Sequence, residues 1–127
     1  IMSRIKRSDI KESIQTVLSS RDESGMTGWI PRTDQPSTEN RDAVEGDLLA
    51  LRGLLDKHGD MLSGDVEKDA ALVNAARRRG HAVDLVIGRE RAPYNSEAGF
   101  LSWVEHNGSV ILTLAPVREL YEEVARW

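Results

Sequence analysis

Cysteine is absent from the 127 residues. That absence excludes disulfides, thiolate metal sites, cysteine nucleophiles and thiol redox chemistry together. Long apolar runs are missing too. The longest, Val110 to Ala115, has the length of a strand and falls far short of a membrane span. The first seven residues carry positive charge, but no apolar segment follows, so no signal peptide is expected and Met2 reads as the native start. The default compartment is the cytoplasm. No phosphate-binding glycine loop, nucleophile-elbow pattern or His-Glu-x-x-His helix occurs. Nor does one sign of charge dominate. Seventeen basic residues face 21 acidic ones, for a net charge of −4, so a protein that coats polyanions wholesale is not expected.

What is present is a soluble, globular composition, 39% apolar and 30% charged, in a length typical of one domain, residues 1–127. The acidity concentrates in the middle: residues 36–75 hold four basic and nine acidic side chains. Asp9 and Glu12 have the spacing of a capping box, and Ile10, Ile14, Val17 and Leu18 follow at helical spacing. Residues 26–36 hold two prolines and a glycine, which forbid a long helix, yet Trp29 and Ile30 are too apolar for a free linker. A second helix is expected after Pro36, capped by Ser37 or Thr38 and ending near His58-Gly59. Val44, Leu48, Leu51 and Leu55 form its apolar stripe. The third helix follows Ser63-Gly64-Asp65. Its alanines point to close packing, and it ends in Arg77-Arg78-Arg79 before Gly80, cations and a glycine suited to a helix C-terminus.

Residues 82–87 then read as a strand. Asn107-Gly108 is the strongest short hairpin signal in the chain. A two-residue turn there pairs His106 with Ser109, Val104 with Ile111 and Ser102 with Thr113. It also pairs Glu105 with Val110, Trp103 with Leu112 and Leu101 with Leu114. The expected fold is therefore α+β: three N-terminal helices, a small, mostly antiparallel sheet over about 82–87, 100–106 and 109–115, and a C-terminal helix opened by Pro116. On that last helix Val117, Leu120, Tyr121 and Val124 would be buried. The alternative makes residues 97–106 a helix and 82–115 a βαβ unit, giving an α/β fold.

Few residues suggest chemistry. His58, His81 and His106 lack metal-site spacing and read as capping or surface residues, so neither a metal nor a cofactor is expected. Asp84 interrupts an apolar strand: on an edge or half-exposed strand it faces water, and if buried it needs a cationic partner, with the neighbouring arginines as candidates. Arg77, Arg78, Arg79, Arg89 and Arg91, with Tyr94, are the candidate nucleic-acid contacts, because guanidinium grips phosphate and an aromatic ring stacks on bases. Val44, Leu48, Leu51 and Leu55 are the candidate seam for self-association.

Three functions follow from these features. The first is a non-enzymatic accessory or interaction domain that binds a protein partner or a second copy of itself; it rests on the missing catalytic constellations. The second is a winged-helix-like nucleic-acid-binding regulator. The third is a small enzyme with a site near Asp84 and Arg89. No membrane partner is expected.

Overall fold

A computed structural model describes residues 5–20, 29–32, 35–92 and 97–127. The elements run α1 (Ser8–Ser20), α2 (Arg41–His58), α3 (Gly64–Arg78), β1 (Val83–Glu90), β2 (Phe100–His106), β3 (Ser109–Ile111), α4 (Val117–Leu120) and β4 (Tyr121–Arg126). The strands form one sheet in the order β3-β2-β1-β4, and every pairing is antiparallel. The fold is α+β. Residues 100–106 form a strand, so the βαβ alternative falls.

At the start of each of the three longer helices a polar side chain accepts from a backbone amide. Asp9 accepts from the Lys6 amide at 2.6 Å, reaching back across the first turn. The α2 cap is Asn40, whose Oδ1 accepts from the amides of Asp42 and Ala43, rather than the expected Ser37 or Thr38. Ser37 has another role. Its amide donates to Asn107 Oδ1 at 2.8 Å, and its carbonyl accepts from Asn107 Nδ2 at 2.9 Å, latching the 35–40 segment to the hairpin turn. At α3, Glu67 accepts from the Ser63 amide at 2.6 Å.

α3 is the hub. It touches α1, α2, β1 and β2. Residues from Ala70 to Arg77 are all buried, which explains the alanines: small side chains let neighbours approach on every side. Ile10 and Val17 from α1 and Val83, Leu85, Val104 and Ile111 from the sheet complete this core. Val44, Leu48, Leu51 and Leu55 are only 0–1% exposed within a single chain. The stripe named as a candidate seam between copies is thus already spent on the chain's own core, because α3 and α1 pack against α2. His81 is enclosed beside this core, with Nδ1 2.7 Å from Glu39 Oε2 and Nε2 2.5 Å from Asp47 Oδ2. Burial pushes the Asp47 carboxyl up, but Arg79 and His81 outweigh it and hold the group below its ordinary range.

The hairpin forms as its sequence predicts. Asn107 and Gly108 take φ of 51° and 76°, and the pairs His106–Ser109, Glu105–Val110 and Val104–Ile111 are made. β3 then stops at Ile111 rather than running to 115. Leu112 takes φ of 70°, a conformation costing about 1–2 kcal/mol for a residue with a side chain. The gain is burial: the turn carries Leu112 against the helix-side core, away from the outer sheet face that strand alternation would give it. The expected pairs with Leu112, Thr113 and Leu114 are therefore not made.

The C-terminal helix is present but spans one turn only. The chain then straightens into β4 along the open edge of β1, with a bulge opposite Ile87/Gly88. Val117 is buried as expected, but Leu120 and Val124 are exposed. Four residues at helical spacing also fit a strand, and pairing with β1 decides the matter. On the outer face of the sheet the Trp103 ring crosses Gly88, where an added Cβ would lie 2.5–2.6 Å from ring atoms. β1 thus continues through Gly88, beyond the 82–87 expected. Val86, Trp103 and Val117 form a second, smaller core there. No helix among the described residues is long and apolar enough to cross a membrane.

Candidate functional site

The candidate arginines separate into two groups. Arg77 is buried and donates to the carbonyls of Val83, Ile30 and Trp127 at 3.0, 2.7 and 2.6 Å, with Asp84 at 3.5 Å. Its guanidinium also lies 5.5 Å from the Trp29 ring centre, which pins the segment that the sequence marked as too apolar to be free. Arg78 binds Asn74 and Glu12, and Arg79 binds Asp47 and Asp9. All three therefore act as internal ties. Arg89 and Arg91 are exposed at the far end of β1, and Tyr94 lies outside the described residues. The set does not converge on one surface.

Asp84 and Arg89 do not converge either. Odd separation along β1 places them on opposite faces of the sheet. Asp84 does have cationic partners: Arg77, one of the candidates, and also Arg126 at 2.9 Å and Arg32 at 3.5 Å, two residues that no local pattern connects with it.

The outer face also carries a carboxylate that the sequence reading overlooked. Glu105 is 1% exposed, yet each of its oxygens is satisfied. Trp103 Nε1 donates at 2.8 Å and Arg118 Nε at 3.0 Å to one oxygen; Arg118 at 2.5 Å and Arg126 at 2.9 Å reach the other. Burial raises the Glu105 carboxyl, but these donors together hold it below its ordinary range. Arg126, bound by Glu123, Glu105 and Asp84, is held more firmly protonated. With every lone pair engaged, this cluster staples β2 to β4 and α4 and leaves no valence for a ligand.

A different situation exists where β3 breaks off. A groove of about 350 Å³ opens between the α2–α3 layer and the sheet. Its apolar lining includes Leu55, Leu72, Val104, Ile111, Leu112 and Val117, and Arg52, Asp56, Asp65, Lys68 and Asp69 supply charge. Phe100, 63% exposed, leads into β2 beside it, and Leu114 stands fully exposed in the segment that forms the opposite wall.

The backbone along this groove has an open edge. The Glu90 amide donates to the Gly99 carbonyl at 2.8 Å, which sets the phase of the β1–β2 ladder. In an antiparallel ladder the residues alternate in the side to which they present N–H and C=O. Phe100 and Ser102 therefore direct both groups away from β1. β3 pairs only as far back as Val104, and among the described residues no backbone bond joins 100–103 to 112–117. Ser102 thus offers a donor and an acceptor to the groove.

The Ser102 side chain points to the helix side, where Oγ donates to Asp69 Oδ2 at 2.6 Å. Burial raises the Asp69 carboxyl to about 6; the Ser102 hydrogen bond and Arg52 oppose the rise, and Asp65 adds to it. Arg52 acts through space, and Lys68 is turned to Asp56 at 3.7 Å. Asp69 is therefore a half-buried carboxyl with one hydroxyl donor and, among the described residues, no cation in contact. Neither Asp69 nor Ser102 was singled out by the sequence. The available signal was a serine on the inward face of β2; Asp69 closes the charged run Asp65-Val66-Glu67-Lys68-Asp69, and nothing local marks it out.

Among the described residues, no group of three histidine or acidic side chains is placed to hold a metal ion. Two buried nitrogens, Asn74 Nδ2 and His106 Nε2, have no partner among the described residues, and neither lines the groove. No family model, no curated protein and no solved structure matches this chain.

Proposed function

We propose that this chain is a non-enzymatic interaction module of the cytoplasm that takes an extended segment of a protein partner as an added strand on β2. The observation that carries this reading is the open edge at Phe100 and Ser102, set within a groove of mixed apolar and charged lining. Strand addition draws affinity from main-chain hydrogen bonds and specificity from pockets for alternate side chains. The groove supplies both. A guest strand would extend the sheet where β3 stops, placing one set of side chains over Leu101, Trp103 and Val117 and the other against α3. The nucleic-acid alternative loses its main support, because Arg77, Arg78 and Arg79 are bound within the chain.

Selection of short peptides from a random displayed library tests this reading, followed by hydrogen exchange of the complex with the tightest binder. The expected result is enrichment of sequences with alternating apolar residues and slowed exchange at the Phe100 and Ser102 amides. Binders that leave both amides unprotected, or a library that enriches nothing over an empty support, would sink the proposal. Ser102→Pro gives a second check. It removes an amide that no strand of the chain itself uses, so it should abolish peptide binding while preserving the β1–β2 ladder.

A further inference from the structure

We infer that the guest strand carries a cationic side chain, lysine or arginine, at the position opposite Ser102, flanked on both sides by apolar residues. The inference rests on the added-strand reading and deepens it. A strand paired to the free edge of β2 must place the residue facing Ser102 on the helix side of the sheet, since paired residues share a face. On that side the next group is Asp69, already within hydrogen-bond reach of Ser102 Oγ. The residues before and after face the outer side, where Leu101, Trp103 and Val117 form the apolar wall. The alternation of the guest is thus dictated by the alternation of β2.

The charge at this position is one-sided. Asp69 has a hydroxyl donor but no contacting cation, Asp65 stands one turn away on α3, and Lys68 of the same helix is directed to Asp56. Arg52 of α2 influences Asp69 only at a distance. A guest strand that closed the groove would strip the remaining water from Asp69. An apolar residue in that place would leave the carboxyl to be buried neutral, whereas an ammonium or guanidinium on a flexible stem would replace the lost solvent with a charge-assisted hydrogen bond. The contrast with Glu105 supports the same conclusion: where this chain buries a carboxylate for its own stability, it brings arginines to it.

Binding of two synthetic peptides of alternating valine and threonine is the test. One carries lysine at its centre on the threonine-bearing face, and the other carries norleucine, which keeps the methylene stem without the charge. Titration calorimetry above pH 6 should favour the lysine peptide by about tenfold or more. Asp69→Asn should erase that preference: the lysine peptide loses its counter-charge, and the norleucine peptide binds no worse because no charge is left to desolvate. The preference should also shrink when the pH is taken well below 6, as Asp69 takes up its proton. Equal affinity of both peptides for the wild-type chain would overturn the inference and leave the added-strand reading standing. Binding of neither peptide would overturn both. A lysine preference that survives in Asp69→Asn would assign the cation to another acid and reject the role given to Asp69.

Discussion

Glu105 and Asp69 are both carboxyl groups drawn out of water near β2, and the chain treats them in opposite ways. Glu105 receives a tryptophan N–H and two guanidiniums, which hold its proton affinity below the ordinary range. Asp69 receives one serine hydroxyl, and burial raises it to about 6. The first is a completed ionic centre whose partners come from β2, α4 and β4. The second is an incomplete one, at the mouth of a groove, beside backbone groups that also lack partners. Completeness is what separates a side chain that holds the fold together from one positioned to meet something outside it.

The largest effect should come from breaking the completed centre. Glu105→Gln leaves Arg118 and Arg126 without their shared counter-charge and is expected to lower stability by about 3 kcal/mol, read by chemical denaturation near neutral pH. The difference should narrow in acid. Glu105 has a depressed proton affinity in the folded state, so its contribution is complete above the ordinary carboxylate range and is lost as the pH falls through and below it. An unchanged denaturation midpoint in the variant would show that the arginines are satisfied by solvent.

Gly88→Ala tests the packing that frames that centre. The new methyl would meet the Trp103 ring and Tyr121 Cβ, with a loss of about 1–3 kcal/mol and a shift in tryptophan fluorescence. Loss without a spectral change would place the strain elsewhere.

Asp69→Asn should act with the opposite sign to Glu105→Gln. A carboxyl whose proton affinity is raised on folding favours the folded state below its unfolded value, near 3.8, and that benefit is lost as the pH rises through about 6. Removing the charge should therefore stabilise the protein above pH 6 by an amount on the order of 1 kcal/mol and have little effect in acid. Destabilisation at neutral pH would mean that Asp69 is a structural anion after all.

The smallest effect is expected from Ser102→Ala. It deletes the hydroxyl donor, should lower stability by less than ~1 kcal/mol, and should raise the Asp69 titration further, visible in its carboxyl carbon shift. A downward movement would mean that the serine favours the neutral acid.

These two centres also mark how far the sequence could be read. The hairpin was legible because Asn107-Gly108 fixes a turn, and a turn fixes a register. α3 was legible because alanines, three arginines and Gly80 punctuate it. The end of β3 was not, since nothing local distinguishes Leu112 from any strand leucine; its left-handed backbone is set by the helix-side core that receives its side chain. β4 was hidden for a related reason: Val117, Leu120, Tyr121 and Val124 match helical spacing, and only the unfilled edge of β1 selects a strand. Of the site, Asp84 was legible only as an acid that faces water or, if buried, needs a cation; its partners Arg126 and Arg32 are separated from it by 42 and 52 positions, and no periodicity links them. Glu105, Asp69 and Ser102 share that difficulty. Their meaning lies in which side chains meet them across the fold.

The recessed position of the open strand has one more consequence. An exposed edge normally invites other sheets to join it, and proteins guard such edges with charge or distortion. β4 follows that habit, with Glu122 and Glu123 along it and a bulge at its middle. The β2 edge instead lies between two walls. The groove between them, about 350 Å³, would confine the proposed guest to a narrow space. On the added-strand proposal, such walls would favour a lone guest over a growing stack, so recognition need not lead to polymerisation.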